Sequence, residues 1–176
     1  MQPIRRRTRI ARHTAQVNRR LAVSIAACVL LLAQFLLGMA VNVSVVLPKH
    51  HPGAGASNYF SGVASGVSWV ISSGPAWVAA HATFGLALIV AALAAIALSW
   101  RAGSRTERTM SVLGLLLIIG AGFNGASFLN YGKAVSSFIM AALWALATAC
   151  YVTSAILAVR TPGGAVPAEA PRDSTA

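Results

Sequence analysis

From Leu21 to Leu47 the chain runs without one charged side chain, and three further stretches repeat the pattern: Trp77 to Ser99, Val112 to Asn130 and Ser136 to Val159. Crossing a hydrocarbon layer about 30 Å thick takes roughly 20 mostly apolar helical residues, and a helix satisfies its own backbone hydrogen bonds there. Each stretch is long enough to span. Pro48 stops the first, because a proline inside a helix loses a hydrogen bond and clashes with the preceding turn. Arg160 and the breaker sequence Thr161-Pro162-Gly163-Gly164 close the fourth. Only 10% of the 176 residues are charged, whereas soluble domains average about 25%. A water-soluble globule is therefore excluded. The expected fold is all-α, with four transmembrane helices at about 21–47, 77–99, 112–130 and 136–159 in an up-down-up-down bundle. This bundle, 21–159, lies between a basic tail, 1–20, and a tail at 160–176 whose Pro, Ala and Gly content predicts disorder.

The formal net charge of +11 suggests nucleic acid until its placement is read. Arg5, Arg6, Arg7, Arg9, Arg12, Arg19 and Arg20 precede the first span. Arg101, Arg105 and Arg108 fall between the second and third, and Arg160 and Arg172 follow the fourth. The two opposite connections hold one cation each, Lys49 and Lys133. Cytoplasmic loops carry the excess of Lys and Arg, so both termini are placed in the cytoplasm. The N-terminal arginines then face anionic lipid headgroups, which attract each at roughly 1 kcal/mol near the surface. Nucleic acid is not implied. The first span also has the basic start of a secretory signal, and Gly38-Met39-Ala40 resembles a cleavage site. Its apolar length is nearly twice that of a signal's core, which reads as an anchor.

The long external connection, 48–76, is not a uniform linker. Phe60, Val63, Val67 and Ile71 recur at helical spacing, with Ser61, Ser65, Ser68 and Ser72 on another face. A short amphipathic helix lying in the outer interface is expected. The alternative, a flexible loop, has Gly53, Gly55, Gly62, Gly66 and Gly74 in its favour.

Polar side chains within spans are costly and therefore informative. In the third span Gly120, Asn124, Ser127 and Tyr131 share one helical face, with Asn130 turned away. In the first span Gln34, Gly38 and Asn42 step by four. Either these amides bridge helices, or Gln34, Asn42, Asn124, Ser127 and Tyr131 converge on a polar pocket in the outer half. His81 lies about one turn inside the second span, on the same outer side as His50 and His51. Imidazole ligates haem iron, copper and zinc, so His81 with His50 or His51 is the candidate set for haem b or a metal. Packing through hydrogen bonds is the plainer use of His81. Cys28 and Cys150 lie at similar inner depth and could touch; neither implies a disulfide framework or a zinc site. Glu107, Glu169 and Asp173 are the acidic residues, all assigned to the cytoplasmic side, which leaves paired-carboxylate chemistry without parts. No catalytic residues are assigned.

The string Phe123-Asn-Gly-Ala-Ser-Phe-Leu-Asn-Tyr-Gly132, with Gln34 to Asn42 and His51-Pro52-Gly53, resembles a group of small four-helix integral membrane proteins of bacteria, actinobacterial in type. The resemblance covers residues 21–159. It implies a bacterial cytoplasmic-membrane address and no particular activity. In plan the chain is also similar to four-helix b-type cytochromes and to half of haem A synthase, from which it departs by lacking a second well-placed intramembrane histidine. The expected role is a non-enzymatic binding or accessory subunit, working beside a partner membrane subunit or as a homo-oligomer. The alternatives are a b-type haem redox protein and a small-molecule carrier.

Overall fold

The structure, a computed structural model, describes residues 3–160, with side chains from Thr14 onward. It has five helices: α1 (Pro3–Ser44), α2 (Tyr59–Ser73), α3 (Ala76–Ala102), α4 (Arg105–Tyr131) and α5 (Ala134–Arg160). Among the described residues there is no strand. Four helices, all but α2, are long and apolar enough to cross a membrane. At 1.5 Å per residue the 27 residues of α3, α4 or α5 reach about 40 Å, enough for the hydrocarbon and part of each headgroup layer. α1 packs on α3 and α5, and α4 packs on the same two helices, closing a ring in chain order. Two-residue connections at 103–104 and 132–133 turn the chain sharply, making α4 antiparallel to both neighbours.

The helix boundaries depart from the sequence reading where capping overrides hydropathy. Residues 3–20, expected as a tail, are the start of α1, whose 42 residues extend about 63 Å. The side chains of Arg5, Arg6, Arg7, Arg9 and Arg12, and the whole of 161–176, lie outside the described set. α4 begins seven residues before Val112 because Ser104 caps it: its Oγ accepts from Glu107 N at 3.2 Å, and the carboxylate sits in the first turn. Ser104-x-x-Glu107 is the capping-box spacing, hidden behind neighbouring charges that read as loop.

The shared core is built of small and aliphatic residues, Ala27 and Leu31 of α1, Leu88, Ala92 and Ala95 of α3, Ile118 of α4 and Ala147 of α5, around the fully buried Tyr151. Tyr151 lies on the backbone of Gly114, where a Cβ would stand 2.7 Å from two ring carbons. Any larger residue at 114 displaces the ring. Cys28 and Cys150 are free thiols within or against this core.

α2 forms over the segment where an amphipathic helix was expected, with Asn58 Oδ1 accepting from Ser61 N at 3.0 Å as its cap. Its docking face differs from the apolar stripe. Gly62, Gly66 and Val70 are buried, Val63 and Val67 are partly covered, and Phe60 and Ile71 are exposed. Two of the glycines that suggested a flexible loop, Gly62 and Gly66, form the contact surface, because they let α2 lie close against α4.

Candidate functional site

Between α1 and α3 two polar side chains meet in an antiparallel exchange. Gln34 and Gly38 of α1 face His81 and Gly85 of α3, each glycine opposite the other helix's polar group. A Cβ on Gly38 would come 3.1 Å from His81 Cε1, and one on Gly85 would come 3.4 Å from Gln34 Nε2. The missing side chains leave room for an amide and an imidazole that apolar neighbours would otherwise crowd. Gln34 Nε2 lies 3.1 Å from His81 Nε2. The amide nitrogen only donates, so His81 Nε2 accepts and the neutral ring carries its proton on Nδ1. Gln34 Oε1 and His81 Nδ1 are buried without a partner. The pair therefore presents one unused acceptor and one unused donor. Rotating the amide exchanges their identities but leaves the same sum.

This pair lies on the wall of a cavity of about 420 Å³, within the range of roughly 300–1,000 Å³ typical of small-molecule pockets. The remaining wall is almost wholly apolar. Leu31, Phe35 and Leu88 contribute from α1 and α3, Ile118 and Ala126 from α4, and Met140 and Trp144 from α5. Val63, Val67 and Val70 of α2 roof it. Trp144 is fixed by donation from Nε1 to Leu31 O at 2.7 Å and by stacking on Phe35 at 4.6 Å. The cavity wall is thus rigid where α5 meets α1.

The sequence-predicted pocket divides into two groups. Gln34, Asn42 and His81 line the cavity. Asn124, Ser127 and Tyr131 do not, because each is engaged elsewhere. Asn124 Nδ2 donates to Gly120 O of its own helix at 2.9 Å. That partner is always available one turn back, so the lack of partners in lipid does not by itself force an asparagine inward. Ser127 Oγ is 2.9 Å from Tyr59 Oη, and Tyr131 Oη donates to Ala56 O at 3.1 Å. These two hold the external segment and the start of α2 onto α4.

The three outer histidines are not gathered around one space. His50 is exposed, and neither it nor His51 lines the intramembrane cavity. His51 stacks on Trp69 at 4.7 Å, with Nδ1 3.0 Å from Pro52 O and Nε2 3.3 Å from Leu129 O. Both ring nitrogens of His51 face carbonyl oxygens, and His81 lines a different space, so in this arrangement the two rings are not set to hold one haem between them. Among the described residues no group of three or more His, Cys, Asp or Glu side chains is placed to hold a metal ion.

Two features escaped the sequence reading. Arg20, grouped there with the surface arginines, is 4% exposed. Its Nη1 donates to Glu107 Oε2 at 2.7 Å and to Ala102 O at 3.0 Å, crossing the ring diagonal from α1 to α4. Arg19 is exposed, as a surface arginine should be. Asn130, read as turned away, is 6% exposed and packs on Gly66 of α2, with neither side-chain atom hydrogen-bonded.

No family model matches the chain, and neither a curated protein nor a solved structure is significantly similar to it. The class it defines by its own architecture is a helical membrane-embedded bundle with four helices of spanning length.

Proposed function

We propose that this chain is a multi-pass protein of a bacterial cytoplasmic membrane, with both termini cytoplasmic, that binds a lipophilic small molecule as a non-enzymatic binding or accessory subunit. The bacterial address rests on the resemblance of residues 21–159, and the orientation on the distribution of Arg and Lys. The binding role rests on one observation: an apolar cavity whose wall carries a buried donor and a buried acceptor with nothing to satisfy them. A buried polar group left without a partner costs about 1–3 kcal/mol. Once either group turns toward the cavity, a ligand hydroxyl can donate to the Gln34 carbonyl or accept from the His81 N–H, while its hydrocarbon fills the cavity. Apolar contact supplies the affinity, and the polar pair fixes the orientation.

Dodecanol is a suitable probe. With Trp69 and the exposed Trp77 and Trp100 replaced by Phe, Trp144 in the wall is the remaining tryptophan and reports occupancy by fluorescence. The expected result is a saturable change, weakened about 3–10-fold by Gln34→Leu or His81→Leu, the equivalent of one ordinary hydrogen bond. Ser68→Ala, at an exposed position that does not line the cavity, should leave it unchanged. A non-saturable response, or one indifferent to Gln34→Leu and His81→Leu together, overturns the reading.

A further inference from the structure

The sequence places only two cations on the side opposite the arginine-rich termini, Lys49 and Lys133, 84 positions apart. The fold brings both to the wall of a second chamber, of about 790 Å³, at the end of the bundle away from Arg20 and Glu107. His51, Asn130 and Tyr131 complete its polar side. Lys133 Nζ stands 5.8 Å from the centre of the Tyr131 ring, which holds the ammonium near the chamber. The Asn130 amide, more than nine-tenths buried, faces Gly66 of α2, which does not line the chamber. Two positive charges on one wall suit an anionic group, which the lysines would neutralise.

The chamber adjoins the intramembrane cavity. Val41, Asn42, Leu47, Phe128 and Leu129 line both. A ligand reaching from the chamber into the cavity would meet cations first, then an apolar wall, and then the Gln34–His81 pair. Along α1 the step from Asn42, which borders both spaces, to Gln34 is eight residues, or about 12 Å.

From this order of contacts, and resting on the cavity reading above, we propose that the ligand is an amphiphilic anion with two polar ends. Its carboxylate or phosphate sits between Lys49 and Lys133, its hydrocarbon body fills the cavity, and a hydroxyl or carbonyl some twelve carbons in meets Gln34 and His81. The chemical class is a long-chain hydroxy acid or its phosphate counterpart. A simple fatty acid satisfies one end only, and a fatty alcohol the other.

Three probes of equal length separate these parts: 12-hydroxydodecanoate, dodecanoate and dodecanol, titrated into the full chain in nanodiscs with Trp144 and Trp69 as reporters. Trp69, stacked on His51, reads the chamber. The hydroxy acid should bind at least tenfold tighter than either single-ended probe. Lys49→Gln with Lys133→Gln should remove that advantage over dodecanol and leave dodecanol itself unchanged. Gln34→Leu should reduce the hydroxy acid to the level of dodecanoate. Raising the salt concentration should weaken the two acids and not the alcohol. The proposal is overturned if all three probes bind equally, or if the lysine pair variant leaves the acids unaffected, and in both cases dodecanol binding would still uphold the cavity reading. It is also overturned if acetate at millimolar concentration displaces the acids, which would mark a site for free anions. Failure of dodecanol to bind at all would overturn the cavity reading as well.

Discussion

Arg20 and Glu107 illustrate how a single contact can lie behind a composition that points elsewhere. Counting cations assigns Arg20 to the membrane surface with its six neighbours, and that rule holds for the exposed Arg19 beside it. What distinguishes Arg20 is its face: with Ser24, Ala27 and Leu31, all buried, it continues the inward stripe of α1. Glu107 is also the sole carboxylate before residue 169, so an inward arginine has one possible partner. The face and the scarcity were both legible; that the two would meet across the ring required the fold. Since the pair is 3% exposed on each side, removing one member strands a buried charge, which typically costs about 3–5 kcal/mol. Arg20→Met or Glu107→Leu should each destabilise the protein by that order, and the double variant should recover most of the loss, because an apolar pair of similar volume leaves no charge behind. Thermal unfolding in detergent measures both effects. Two harmless single variants would mean that the ion pair is solvated and carries no structural weight.

At the scale of elements, α2 shows which part of a helix a periodicity can foresee. Helical spacing located it correctly, since Asn58 supplies a cap and four apolar residues recur at the right interval. The docking face could not be read the same way. Apolar residues suit lipid as well as protein, so in a membrane the stripe of Phe60, Val63, Val67 and Ile71 has no unique destination. Small residues are the better signal there, because close backbone approach is what favours one helix against another. Gly62 and Gly66 carry it. A methyl group on Gly66 would stand 2.6 Å from Asn130 Oδ1, and Gly66→Ala should therefore lift α2 from α4. Hydrogen exchange is expected to rise along residues 59–73 and fall back when Asn130→Ala is added to make room. Ser68→Ala, on the exposed side, should do nothing. Unchanged exchange in Gly66→Ala would mean that α2 is held by Tyr59 and Tyr131 alone. Those anchors, Tyr59 to Phe123 O and Ser127, and Tyr131 to Ala56 O, also explain why the polar stripe of α4 misses the cavity: it fastens the roof instead of lining the room beneath.

Across the whole molecule, the ring of α1, α3, α4 and α5 separates two kinds of polar interior. One end holds the buried ion pair of Arg20 and Glu107, with Arg20 Nε left unpartnered. The other holds Gln34, His81 and Asn130 with buried atoms that nothing satisfies. Four uncharged runs were enough to foresee four helices of spanning length, because membrane hydropathy is a one-dimensional property. Which polar residues converge depends on helix rotation, which four apolar surfaces barely constrain, and so Gln34 and His81 came together while Asn124 did not. The asymmetry has a directional consequence. If the arginine-rich end is cytoplasmic, the unsatisfied end opens outward and a ligand arrives from outside or from the outer leaflet. Cysteines introduced by Ser57→Cys and Ser104→Cys, at exposed positions on opposite ends, test this in a background with Cys28→Ala and Cys150→Ala. An impermeant maleimide applied to intact cells should label position 57, and should label position 104 only after permeabilisation. The reverse pattern would turn the protein over, making the lysine chamber face the cytoplasm and its ligand a cytoplasmic one. Labelling of both positions in intact cells would instead remove a span between them, and with it the closed ring on which the cavity depends.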